Sequence, residues 1–516
     1  LPAGEPPAAR RHAVELVSSM PRLQADGLAR LPAAVQRPAF DRAALSVGIV
    51  HLGLGAFQRA HQAVVNDAAI DATGDGGWGL CGVSLRQPDT RDALAPQQGL
   101  YTLALRDADE QGRPRQRLQV VGSLIELLVA PEDPQAVLER IAAPGTRIVS
   151  LTVTEKGYHH DPASGTLRID DADVQHDLVH PASPRTALGF IVHGLALRRA
   201  RGWPPLTLLS CDNLPANGHL LRGLVLAMAR QVDPALADWI ATACSFPACM
   251  VDRIVPRTTE ADRAQVSAAL GAEDAWPVIG EPFLDWVIED RFAAGRPAWE
   301  HGGARFVADV APFELAKLRL LNGTHSTLAY LGAMAGLRTV DQAVREPLFR
   351  QLIETLMATE IIPTLPATPG FDLAAYSARI VGRYANPALQ HRLRQIAMDG
   401  SQKLPQRLLG TVRHRLQQGA GIELLALAVA GWLHHLSGVD EAGEAHAVDD
   451  PLAGTLAALR AQGGAAAVLA HAPVFGDLAG QAAFSGPVLR WLQSLQQAGV
   501  RATLQQALGG RNGATA

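Results

Sequence analysis

Val47-Gly48-Ile49-Val50-His51-Leu52-Gly53-Leu54-Gly55-Ala56-Phe57 is a short apolar strand that runs into a glycine turn. The residues that follow, through Arg59-Ala60-His61 to about Ile70, carry a helical pattern. Strand, glycine turn and helix in that order open a dinucleotide-binding unit. The first glycine permits the tight turn, the second lets backbone amides approach a pyrophosphate, and the helix N-terminus stabilises that charge. Gly53 and Gly55 are therefore candidate cofactor residues, and Ala56, Phe57 and Arg59 follow in the same turn. Phe57-Gln58 stands where a third glycine would fall, so the fingerprint is incomplete. The second strand, Trp78 to Leu85, ends in Arg86-Gln87-Pro88-Asp89. An acidic residue here pairs with the adenosine ribose hydroxyls and favours NAD, whereas an arginine accepts the NADP phosphate. Both occur, and we read Asp89 as the ribose partner and NAD as the cofactor.

Outward from this unit, residues 100–107 and 116–122 alternate as a hairpin, and residues 134–142 read as a helix. Arg147 to Thr154 is a β-branched strand ending at Glu155, Pro204 to Ser210 is another that delivers Cys211-Asp212-Asn213, and Phe246 to Val255 delivers Asp252-Arg253. Strand ends in a parallel α/β sheet face the crevice where ligands bind. Successive βα units predict a doubly wound domain over residues 20–305. From Phe313 the pattern changes to helical runs at 313–336, 338–359, 386–397, 403–417, 422–437, 452–471 and 486–508, with a loop at 363–370. The fold class is α/β: a Rossmann-type N-terminal domain followed by a mainly α-helical C-terminal domain, residues 306–516. Residues 1–19, rich in Pro, Ala and Arg, read as a disordered extension, and Met20-Pro21-Arg22-Leu23 resembles a natural start.

A chain of 516 residues exceeds what one hydrophobic core supports, which agrees with two domains. Its net charge of −4, without a Lys/Arg block, points away from nucleic acid and anionic membrane surfaces and towards a small-molecule partner. The four cysteines, Cys81, Cys211, Cys244 and Cys249, show no zinc spacing and read as buried thiols in a reducing, cytoplasmic compartment. No metal is expected. No apolar run approaches the ~20 residues that span a bilayer.

The chemistry gathers in Phe313-Glu314-Leu315-Ala316-Lys317-Leu318-Arg319-Leu320-Leu321-Asn322-Gly323-Thr324-His325. On an α-helix Asn322 lies roughly 140° and His325 roughly 80° around from Lys317, so the three can share a face. A lysine facing leucines loses hydration, which lowers its pKa and suits it to proton transfer. The plain alternative is a surface helix whose lysine reaches water and whose Asn-Gly pair marks a break. Reduction of a ketone by a nicotinamide needs a proton donor and amide donors to the developing oxyanion, and needs no metal. Lys317 is read as the acid/base, with Asn213 and Asn322 as amide donors. Asp252 and His325 bind substrate hydroxyls. Glu314, one turn before Lys317, and Glu155 are candidate proton-relay groups, with a salt bridge and a solvated loop acid as their plain readings.

Taken in order, the glycine turn, Thr152-Val153-Thr154-Glu155-Lys156-Gly157, Cys211-Asp212-Asn213-Leu214-Pro215, Val251-Asp252-Arg253-Ile254 and the K-x4-N-x2-H run resemble the long-chain polyol dehydrogenase, or mannitol dehydrogenase, family. The match of Gly53 to His61 to the family's nucleotide turn adds Ala56, Phe57 and Arg59 to the cofactor candidates. The resemblance implies a catalytic Lys317, Asn322 and Asn213, substrate contacts from His325 and Asp252, chemistry without zinc, and several members that are monomers. Gln395-Ile396-Ala397-Met398-Asp399-Gly400-Ser401-Gln402-Lys403-Leu404-Pro405-Gln406-Arg407 looks more like the fructuronate reductases than the mannitol dehydrogenases. A uronate substrate calls for a cation, with Lys403 the first choice and Arg392, Arg394 and Arg407 as helpers. Gln395 stands where mannitol-type enzymes have a substrate arginine. D-fructuronate/D-mannonate interconversion is the leading reading, with D-mannitol/D-fructose, arabinitol and tagaturonate as alternatives. A nucleotide sensor without turnover is the alternative of another class, and the Lys317, Asn322 and Asn213 set argues against it.

Overall fold

β1 (Val47–Leu52) is hydrogen-bonded on both edges and buried on both faces, which is why its residues are almost all apolar. The strands after it are β2 (Gly79–Ser84), β3 (Tyr101–Ala108), β4 (Pro114–Val121), β5 (Leu124–Val129), β6 (Ile148–Leu151) and β7 (Thr207–Ser210), followed by β8 (Cys249–Asp252), β9 (Val278–Gly280), β10 (Asp285–Glu289) and β11 (Ala304–Val307). The computed structural model describes residues 20–509 apart from 110, 112, 163, 389 and 390. The reading of residues 1–19 lies outside the described residues.

The described residues gather into two units. The first comprises the chain up to Asp107 and from Arg115 to Val310; the second comprises Ala108–Pro114 and the chain from Ala311 onward. In the first unit a five-stranded sheet has the order β5-β2-β1-β6-β7, with every pair parallel. Val50, Leu52, Val83, Val149 and Leu151 face one apolar cluster with the helices Pro134–Ala142, Ala187–Ala200 and Asn217–Val232. Ile49, Leu80, Ile148 and Leu209 face another with the helix Gln62–Thr73. Helices on both faces make this the doubly wound, Rossmann-type arrangement that the sequence predicts.

Three features of this unit go beyond or depart from the expectation. β8 does not extend the main sheet: it pairs antiparallel with β10, which pairs with β11. The β3–β4 hairpin joins β9 in a third sheet. Strand propensity marks a segment as extended but does not choose its neighbour, so these small sheets were invisible. The helix expected through Arg59-Ala60-His61 breaks at His61 (φ −130°, ψ −70°) into Ala56–Ala60 and Gln62–Thr73.

In the second unit every described element after Ala311 is helical. Its core centres on Gly323–Met334 and Glu423–His435, and the latter is apolar almost all round because it is buried almost all round. The run expected at 338–359 is cut at Glu346-Pro347, as proline at a first helical position requires. An unexpected helix spans Leu373–Tyr384, while of the helix expected at 386–397 the described residues form only the single turn Leu393–Ile396. Asn386-Pro387 explains this, since a residue before proline is pushed out of the helical region. Among the described residues no helix is long and apolar enough to cross a membrane.

Candidate functional site

At the C-terminal ends of β1, β2 and β6, where the strand order reverses direction, the first unit opens a crevice of about 340 Å³. Doubly wound sheets bind nucleotides at that switch point. Gly53 has φ +90°, and a Cβ there would stand 2.3 Å from the Thr152 carbonyl oxygen. Only glycine fits. A Cβ built on Gly55 would meet nothing nearer than the Gly53 carbonyl oxygen at 3.7 Å, so the space beside it is open to an incoming group. Gly53, Leu54, Ser84, Arg86, Gln87, Thr90, Thr152, Arg185 and Thr186 are among the lining residues, none of which is acidic. This cradle, with amides exposed and arginines facing in, fits a dinucleotide's phosphates.

Of the cofactor candidates, Gly53 lines the crevice, and Gly55 caps the helix Ala56–Ala60 that starts beside it. Asp89 is exposed at the start of Asp89–Leu94, whereas Arg86, Gln87 and Thr90 line the wall. Arg59 is turned inward: its Nη1 donates to the Trp276 carbonyl at 2.6 Å and its guanidinium lies 5.0 Å from the Tyr101 ring. Burial pushes it down to about 10. Arg59 thus joins the glycine-turn helix to the neighbouring sheet, a role that its spacing from the glycines concealed.

Sequence reasoning missed the side chains that shape the crevice floor. Asp212 accepts from Val153 N at 3.0 Å, Thr154 N at 2.9 Å and the Tyr158 hydroxyl at 2.8 Å. Thr154 has φ +62° and ψ 166°, a region almost reserved for glycine and costing about 1–3 kcal/mol in a β-branched residue. The Asp212 carboxylate holds it there. Glu155 follows, exposed, at the head of the turn Glu155–Tyr158. Asn217 joins β7 to β8, donating to Asp212 O (3.0 Å) and Cys249 O (2.8 Å) and accepting from Cys249 N. Asn213, exposed just beyond β7, and Asp252, buried at the end of β8, are thereby carried on clamped neighbouring strands.

A second missed network lies under the glycine turn. His51 Nδ1 is 2.8 Å from Ser150 Oγ and Nε2 is 2.9 Å from Thr152 Oγ1, which donates to Gly53 O at 3.0 Å. Ser150 Oγ in turn lies 3.0 Å from the Gln62 amide. Burial holds the imidazole down to about 3, so it is neutral. The pairing of His51 with Ser150 across β1 and β6 brings these groups together.

In the second unit, Lys317–Asn322 is a π-turn between the α-helices Ala311–Ala316 and Gly323–Met334. An i→i+5 bond brings Asn322 nearer to a position above Lys317 than the roughly 140° offset of a regular α-helix would. Lys317 is only 8 % exposed, and Glu314 sits half-buried one turn earlier. His325 follows on the next turn, stacked on Tyr384 with ring centroids 5.2 Å apart and edge-on to His391 at 4.8 Å. Its Nε2 is buried without a hydrogen-bond partner. Burial, with His391, Arg407, Arg383 and Lys403 around it, holds this imidazole well below 6.5, hence neutral. Lys403 Nζ donates to Met398 O at 2.6 Å and Ile396 O at 3.4 Å, and lies 3.6 Å from Asp399. Gln395 is exposed.

Comparison with known proteins fits both units. Residues 47–301 match the mannitol dehydrogenase Rossmann domain and residues 309–496 the mannitol dehydrogenase C-terminal domain. The chain belongs to the mannitol dehydrogenase family. It is 45 % identical to the D-mannonate oxidoreductase of Escherichia coli (strain K12) over 90 % of this chain and 97 % of that one. To the mannitol 2-dehydrogenase of Phaeosphaeria nodorum it is 40 % identical over 91 % and 83 %. Among solved structures, the Pseudomonas fluorescens mannitol 2-dehydrogenase ternary complex with NAD and D-mannitol aligns with a TM-score of 0.82 at 39 % identity, covering 95 % of this chain and 99 % of that one. Both halves of this mannitol dehydrogenase family member therefore have counterparts along nearly their whole length.

Proposed function

We propose that this family member is an NAD-dependent, metal-independent secondary-alcohol dehydrogenase that interconverts D-mannonate and D-fructuronate. The observation that carries the reading is the Lys317–Asn322 π-turn, which sets a buried lysine and an asparagine beside a neutral His325 within a ring of cations. In D-mannonate + NAD⁺ → D-fructuronate + NADH + H⁺, the nicotinamide takes the hydride from the carbinol carbon. Lys317 receives the hydroxyl proton, or returns it in reduction. Asn213 and Asn322 donate to the reacting oxygen, where losing one such donor typically costs about 3 kcal/mol. His325 and Asp252 hold substrate hydroxyls, and Glu314 and Glu155 are relay candidates. Gly53, Gly55, Ala56 and Phe57 form the pyrophosphate turn, and Asp89, exposed next to the wall residues Arg86, Gln87 and Thr90, is the ribose partner. The 45 %-identical D-mannonate oxidoreductase supports the sugar acid, as do Arg383, Lys403 and Arg407 around His325.

The 39 %-identical complex with D-mannitol favours a second reading, D-mannitol/D-fructose interconversion. NADH oxidation with D-fructuronate, D-fructose and D-tagaturonate in parallel, repeated with NADPH, decides between them. Preference for fructuronate is the expected result. Preference for fructose would install the second reading, and no turnover despite NADH binding would overturn both.

A further inference from the structure

The second unit holds a cation that no carboxylate answers. Arg407 lies in the π-turn Pro405–Leu409, half-buried, and its Nη1 donates to Ser326 Oγ at 3.1 Å. Among the described residues it makes no ion pair, and the acidic groups beside it are only the phenols of Tyr330 and Tyr384. Two neighbouring cations already have partners: Lys403 donates to two carbonyls and lies 3.6 Å from Asp399, and Arg394 pairs with Asp440 at 3.1 Å. Two neutral groups beside Arg407 are also incomplete. His325 Nε2 and the wholly buried Tyr330 hydroxyl both lack a hydrogen-bond partner.

A guanidinium taken partly out of water without a counter-charge is costly, and a ligand carboxylate at its open edge would offset that cost. With Nη1 occupied, the Nε–Nη2 edge remains for a planar anion, a geometry that suits a carboxylate. Resting on the sugar-acid reading above, we infer that Arg407 pairs with the terminal carboxylate of the substrate and sets the preference for an aldonate over a neutral polyol. Lys403, held by the Met398 carbonyl at 2.6 Å and with Asp399 3.6 Å away, then acts as a fixed neighbouring charge and not as the direct partner.

D-mannonate and D-mannitol isolate this contact, because one carries a carboxylate where the other carries a CH₂OH. The experiment measures kcat and KM for both with NAD in the wild type, Arg407→Gln and Arg407→Lys, with melting and NADH titration to establish folding. In Arg407→Gln the mannonate/mannitol ratio of kcat/KM is expected to fall on the order of 100-fold, mainly through KM for mannonate. Arg407→Lys keeps the charge but loses the fork, and is expected to restore part of the ratio. A wild type that prefers D-mannitol overturns the sugar-acid reading itself. A wild type that prefers D-mannonate, with the ratio in Arg407→Gln within about threefold of its own, overturns the Arg407 assignment alone. If Arg407→Gln does not fold, Arg407→Lys decides: a drop of about tenfold supports the pair and an unchanged ratio overturns it.

Discussion

Lys317 is asked to carry a proton, and its place in the structure makes that separable from cofactor binding. It belongs to the second unit, while the crevice that fits the dinucleotide is built wholly from the first. Lys317→Met is expected to lower kcat by about 10²–10⁴-fold, the usual worth of a general acid/base, with the NADH dissociation constant nearly unchanged. Steady-state rates and a fluorescence titration of NADH check this, and equal losses in both would remove the assignment. His51 makes a different prediction, on stability. Its folded pKa of about 3 lies below the ordinary 6.5, so below pH 6.5 the unfolded chain binds the proton and the folded one does not. The stabilisation is complete above about pH 6.5 and shrinks by about 1.4 kcal/mol per pH unit as the pH falls towards 3. Denaturant unfolding at pH 7 and 5 should show the advantage of wild type over His51→Gln shrinking by about 2 kcal/mol. An advantage independent of pH would mean that His51 is not buried neutral. Lys317 was legible because its spacing to Asn322 and His325 is itself the signal. His51 was not, since only the register of β1 against β6 reveals its partner Ser150.

At the scale of elements, the three π-turns of the second unit, Lys317–Asn322, Met357–Ile361 and Pro405–Leu409, mark what the periodicity could not show. A 3.6-residue pattern reads straight through an inserted residue, so the run 313–336 looked like one helix. The inserted residue in the first of these turns brings Asn322 nearer to alignment with Lys317. Its partner turn approaches closely: a Cβ on Gly323 would stand 2.9 Å from the Arg407 carbonyl oxygen, a backbone atom that cannot swing aside. Gly323→Ala is therefore expected to destabilise by about 1–3 kcal/mol, although alanine is the better helix former. Gly421→Ala, where nothing stands within 4 Å, serves as the control and should stay within about 0.5 kcal/mol of wild type. Thermal melts of the two variants test this, and equal melting temperatures would show that the turns can move apart freely. In the first unit Asp212 was in view within Cys211-Asp212-Asn213, yet its partners were not. Nothing in the residue types says that Thr154 sits at positive φ and requires a carboxylate to hold it.

For the whole molecule, the division into α/β and helical halves was legible because two periodicities, near 2 and near 3.6, occupy different stretches of chain. The partition of the core follows: one cluster lies entirely among residues 316–507, and three others among residues 23–304. What stayed hidden was the pairing of β8 with β10 and of β3 with β9, which depends on long-range contacts that no local pattern encodes. Separate cores make a thermodynamic prediction. A ligand that binds only the folded first unit stabilises that unit by RT ln(1 + [L]/Kd), about 2.7 kcal/mol at a hundredfold excess over Kd. Amides of β1 and β6, deep in the first unit, should then exchange about 100-fold more slowly with NADH present. Amides of Glu423–His435, at the centre of the other core, should slow far less. Hydrogen exchange with and without NADH separates the cases. Equal slowing in both places would mean that the two cores open only together, so that nucleotide binding stabilises the lysine-bearing unit as fully as its own; no slowing in β1 would mean that the glycine turn at Gly53 does not bind the nucleotide.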